Sequence, residues 1–141
     1  MRTLGNILWH FPFFGFVNAF MTFLIGGILI LTVVGAPLGL GLVQLSKFLL
    51  TPFSKEMVSK NDMDVKQNEL WKIFGIFVRI IYFPFGLFLS IVTIVEMIGL
   101  FVSIVGIPVG LVLAKSMGTF FNPVNKVCVS RDLAAEIQRK K

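Results

Sequence analysis

A lone carboxylate, Glu96, is the only charged residue in residues 80–114. An ionisable group in so apolar a setting is costly and is by default a candidate for function. Ser90, Thr93 and Ser103 stand six and three residues before it and seven after it, a spacing that puts all four on one face of a helix. Two chemistries suit that face. Glu96 can exchange a proton or cation along a wet path through an oligomer. It can equally be protonated and hydrogen-bonded between helices, or paired with Lys47 or Lys115. A second polar set repeats this spacing: Gln44, Lys47 and Thr51, then Lys115, Thr119 and Asn122. Each stripe reads either as the lining of a lumen or headgroup groove, or as the wet side of an interfacial helix. In the second reading Phe48, Phe53, Phe120 and Phe121 settle in the acyl boundary.

Other reactive groups are sparse. There is one histidine, His10, and one cysteine, Cys128. A closed zinc site takes about four Cys, His or carboxylate ligands, so no metal and no cofactor is expected. No nucleophile–base pair of the kind that covalent catalysis needs is evident, and the chain is read as a non-enzyme. His10, beside Trp9 and Phe11, reads as an interfacial residue. Cys128 precedes a basic segment on the cytosolic side, where thiols stay reduced. The Gly39-Leu40-Gly41 stretch lacks the longer pattern and the lysine of a phosphate loop.

These residues must be held by elements suited to lipid. Hydrophobic residues make up 56% of the chain and charged ones 14%, with a mean hydropathy of +0.90. Soluble domains carry about 25% charged residues. Residues 3–46 contain no Asp, Glu, Lys or Arg, whereas about 18 apolar residues already suggest a membrane span. A signal-peptide core is only about 7–15 residues long, so the first tract belongs to the fold. The chain is read as an integral membrane protein. Its net charge of +6 flanks the apolar tracts, where anionic lipid and topology account for it. Membrane lipids are the expected partners and nucleic acid is not.

A short phrase occurs twice. Gly35, Pro37 and Gly39 are matched by Gly106, Pro108 and Gly110 at an offset of 71 residues. Proline removes a backbone donor and clashes with a continuing helix, and glycine takes backbone angles other residues avoid. Each phrase therefore predicts a helix end, a reversal and a new helix. A kink in one long helix is the competing reading. Upstream, Gly15, Ala19 and Thr22 align with Gly86, Ser90 and Thr93 at the same offset, and Gly26 extends the first stripe. Small residues on one face let membrane helices approach closely, within the chain or between subunits.

The fold expected is thus an all-α membrane protein of two tandem repeats. Each has a transmembrane helix, a Gly-x-Pro-x-Gly turn and a shorter return helix, re-entrant or tilted, with two full spans per repeat as the alternative. The boundaries are residues 1–54 for the first repeat, 55–69 for a polar linker, 70–125 for the second repeat and 126–141 for a basic tail. Lysines and arginines cluster at the N-terminus, the linker and the tail, with none at either turn. The positive-inside rule makes those segments cytoplasmic.

The start MRTLGNILW, the paired VGxPxGL turns, Pro52-Phe53, Pro123-Val124 and the basic tail resemble the bacterial YccF family. Those are small inner-membrane proteins with two copies of an inner membrane component domain. The chain departs in having Ala36 where such turns more often have isoleucine, as at Ile107. The resemblance implies a bacterial cytoplasmic-membrane location and supplies no catalytic residues. The function expected is a non-enzymatic, homo-oligomeric membrane component, acting as a scaffold or with another membrane protein. The alternative is a channel or transporter subunit using Glu96 and the polar stripes.

Overall fold

The computed structural model describes residues 2–11, 14–63 and 65–140. Asp64 of the linker and Lys141 of the tail lie outside the described residues. The chain begins with α1 (Arg2–His10) and α2 (Gly15–Leu31), whose axes differ by 76°. A tight turn leads to α3 (Ala36–Leu50), and strand β1 (Lys55–Ser59) follows. The second half has the long α4 (Glu69–Val102), α5 (Ile107–Phe121), strand β2 (Lys126–Ser130) and a final helix α6 (Arg131–Arg139). Helix α4 and the segment Ile104–Phe121 are long and apolar enough to cross a membrane, and α1 with α2 would supply a third span if counted as one. At 15 residues, α3 is about 22 Å long, short of a core about 30 Å thick.

Both turns reverse the chain. Helix α2 packs along α3, and α4 along α5. A methyl group added at Gly26 would meet the Gly39 carbonyl oxygen at 2.9 Å. One added at Gly86 would collide with the carbonyl of Phe121. Small residues therefore bring the two arms of each hairpin together. Pro37 and Pro108 sit in the first turn of α3 and α5, where a missing N–H is harmless and the fixed φ suits a helix start.

The glycines of the turn phrase act otherwise than their conformational freedom suggests. No described glycine has a positive φ; Val33 takes the left-handed conformation, with φ 59°. Gly35 and Gly106 instead lie against the backbone of the preceding helix, at Leu29 and Leu100. The absence of a side chain is needed for contact, not for backbone angle.

The fold also departs from an all-α architecture. Strands β1 and β2 pair antiparallel, with Met57 opposite Cys128, Lys55 opposite Ser130 and Ser59 opposite Lys126. Linker and tail are thereby joined across the molecule. Strand alternation gives the sheet two buried faces. Met57 and Cys128 pack on a core of Trp9, Ala19, Leu45, Phe48, Leu49, Val109 and Val112. Val58 and Val129 turn the other way, onto Ala134 and Ile137 of α6. The Gln44 side chain accepts a hydrogen bond from the Cys128 amide at 3.2 Å, fixing α3 beneath β2.

The two halves meet head to tail. Gly41, early in α3, faces the Pro123 carbonyl just beyond α5. Conversely Ile107, Pro108 and Leu111 of α5 share a cavity with Arg2, Phe53 and Arg131. The second turn thus lies near the basic end of the first half. The Gly41 contact leaves no room for a side chain. Gly41→Val should lower unfolding stability in detergent by about 1–3 kcal/mol, the usual penalty of overpacking. Gly27→Ala, whose added methyl meets nothing within 4 Å, should leave the thermal midpoint nearly unchanged.

Candidate functional site

Glu96 opens into a cavity of about 400 Å³ between the two halves. Trp9 of α1, Asn18 of α2, Leu100 of α4, and Val109 and Leu113 of α5 form its walls. Trp9 is rigidly placed: it is 2% exposed and its indole N–H donates to the Leu49 carbonyl at 2.7 Å. Helix α2 brings Asn18 to the same space because Gly15, one turn earlier, is pressed against the Trp9 ring. The site is thus an acid and an amide facing each other across apolar walls. Both side chains are exposed, and Glu96 makes no ion pair with Lys47 or Lys115 among the described residues.

The other residues of the Glu96 face have separate roles. Thr93 is buried and its hydroxyl donates to the Leu89 carbonyl at 2.8 Å. Ser90 is buried, and its hydroxyl has no partner among the described residues. Ser103 ends α4, and its carbonyl accepts the Gly106 amide across the turn. None of these three lines the Glu96 cavity.

The polar stripes also diverge. Gln44 is committed to β2. Lys47 lies along a different cavity, of about 550 Å³, with Phe16, Phe20 and Phe23 of α2. Lys115 is exposed and Thr119 buried, and neither lines the Glu96 cavity. In the packing stripe, Gly15, Ala19 and Gly26 are buried within the first half and Gly86 within the second, while Thr22 is bonded to the Asn18 carbonyl. Asn18 was not among the residues singled out in the sequence. Its one signal is an isolated amide in a helix otherwise free of strongly polar groups.

His10 is anchored, with Nε2 2.8 Å from the Leu50 carbonyl. Asn6 ties α1 to the same region: its side chain donates to the Ser54 hydroxyl and accepts from the Phe53 amide. These bonds hold the N-terminal helix across the end of α3.

Long apolar helices bearing broad exposed hydrophobic faces, closed at one end by a charged strand pair, define an α-helical membrane protein. More narrowly, residues 4–55 match the family model YccF, an inner membrane component domain, in agreement with the resemblance read from the sequence. The matched segment runs from α1 through the first residue of β1. No curated protein and no solved structure matches the chain.

Burial pushes the Cys128 thiol above the usual cysteine range, against a weaker downward pull from the Lys55 and Lys47 ammonium groups. Since the thiolate is the nucleophile, maleimide should alkylate folded protein more slowly than denatured protein near neutral pH. The folded-state rate should keep climbing at alkaline pH after the denatured chain has levelled off. Equal rates in both states would show that the thiol is not shielded.

Proposed function

We propose that this protein is a non-enzymatic component of the bacterial inner membrane that works as a homo-oligomer. The observation that carries the reading is Glu96. It stands on an exposed, otherwise apolar face, opposite Asn18 and without an ion-pair partner among the described residues. An ionised carboxylate facing hydrocarbon is strongly disfavoured. Apposition of a second copy would cover it and supply hydrogen-bonding groups. Exposed side chains along α4, such as Phe85, Phe88, Ile91 and Val95, offer the surrounding contact surface.

A channel or transporter subunit is the second reading, favoured by the same acid–amide pair in one cavity. Against it, Lys47, Lys115 and Thr119 do not line that space. Mass measurement in mild detergent separates the outcomes when combined with reconstituted flux. The native chain should run as a multimer, and Glu96→Lys should shift it toward monomer. Native and Glu96→Gln proteoliposomes should both show only leak-level ion flux. A monomer across mild detergents removes the oligomer reading, and flux that depends on Glu96 replaces the scaffold reading with the channel.

The proposed topology has N-terminus, linker and tail together in the cytoplasm, with hairpins that re-enter rather than cross. The β1–β2 pairing and the Arg2–Asp132 ion pair at 3.5 Å support a common side. Proximity of the second turn to Phe53 and Arg131 supports the re-entrant form. In a Cys128→Ser background, Lys60→Cys and Arg139→Cys should resist an impermeant maleimide in intact cells and react after permeabilisation. Ready labelling of either in intact cells would refute the arrangement.

A further inference from the structure

We propose that a second cavity, at the polar end of α4, binds the phosphate headgroup of an anionic membrane lipid. This goes beyond the scaffold reading and assigns the protein a ligand. The cavity measures about 650 Å³, and Lys66, Lys72, Arg79 and Lys126 converge on it from three segments. Lys72 and Arg79 are two turns apart on one face of α4, Lys126 opens β2, and Lys66 lies in the segment between β1 and α4. No carboxylate lines the cavity among the described residues.

Four cations around one concavity repel one another, and a phosphate removes that repulsion while accepting their hydrogen bonds. The neutral lining suits the same ligand. Asn122 and Asn125 contribute amides, and the Asn122 side-chain oxygen is buried without a partner. Rotation of that amide presents two donors to the cavity. Gly75 lies in the cavity lining between Lys72 and Arg79 and adds no side chain at that position.

Position selects a lipid over a soluble phosphate compound. Ile76 lines the cavity and is itself exposed, and the exposed face continues along α4 as Ile73, Phe77 and Ile80. Acyl chains therefore have an apolar track leading away from the cationic mouth. Trp71 and Tyr82, residue types that favour the membrane–water boundary, bracket this stretch of α4. Basic pockets beside membrane helices on the cytoplasmic side recognise anionic headgroups by this combination.

The matching cleft of the first half is a built-in contrast. At the 71-residue offset, Arg79, Gly75 and Val124 correspond to Leu8, Leu4 and Phe53, which line an apolar cavity with only Arg2 and Arg131 at its edge. At these positions Arg79 is replaced by an apolar residue in the first half, whereas Lys126 keeps a lysine counterpart in Lys55.

The test uses full-length protein in detergent, titrated with phosphatidylglycerol and phosphatidylcholine of identical acyl chains and followed by native mass spectrometry. The native chain should bind phosphatidylglycerol preferentially. Arg79→Gln with Lys126→Gln should weaken that binding about thirty-fold, the effect of losing two headgroup-facing cations, while Lys140→Gln should not. If the double variant is not monodisperse, Lys72→Gln on the exposed side chain serves, with a smaller loss. Equal binding of both lipids, or undiminished binding by a monodisperse variant, overturns the proposal. Glycerol 3-phosphate binding as tightly as the lipid would overturn it in favour of a soluble phosphate ligand. None of these readouts depends on oligomer mass or ion flux.

Discussion

The fold hangs on the antiparallel ladder between Lys55–Ser59 and Lys126–Ser130. Its register is self-mirrored: Met57 faces Cys128, its counterpart 71 residues on, and the flanking pairs exchange about that centre. A one-residue slip would turn Met57 and Cys128 away from the helices. Two strands alone are marginal in water. Here the ladder is held between the α3/α5 layer on one face and α6 on the other. The pairing therefore joins the halves only because each half supplies a helix for the strands to rest on.

Within lipid the same problem takes a different form. Burying apolar side chains against one another gains little where the solvent is itself apolar, so close backbone approach and hydrogen bonds must hold helices together. Gly26 on Gly39, Gly86 on Phe121 and Gly41 on Pro123 are such approaches. Polar side chains then fasten what the glycines bring close. Trp9 bonds the end of α3, Tyr82 donates to the Phe120 carbonyl, and Gln44 reaches β2. Gln44, one of the polar stripe residues, is such a fastener.

What was legible in the sequence follows the range of the forces involved. Charge-free tracts and prolines act locally, so the apolar helices and the starts of α3 and α5 could be read directly. Most residues of the small-residue stripes are buried. Strands β1 and β2 were hidden because KEMVS and KVCVS are five-residue segments whose alternation only acquires meaning once another segment pairs with them. The glycine reading misjudged cause: the strain at the first turn falls on Val33, while Gly35 and Gly39 are required by close contact with the preceding helix α2 and its end. Glu96 stood out by its charge, yet its companion Asn18 comes from the other half of the chain, and no spacing rule connects them.

The two halves differ most near the polar boundary. α4 runs unbroken from Glu69 through Pro84 to Val102, whereas its counterpart is divided into α1 and α2 at 76°. Folding α1 aside carries Trp9 into the common core and leaves Leu4 and Leu8 lining an apolar cleft beside Phe53. Helix α4 instead brings Lys72 and Arg79 to a cavity shared with Lys126. Strand pairing and close hairpin contacts thus occur beside one apolar cleft and one cationic cleft. That division is possible because the ladder and the glycine contacts, not the first turns of α1 and α4, hold the halves together.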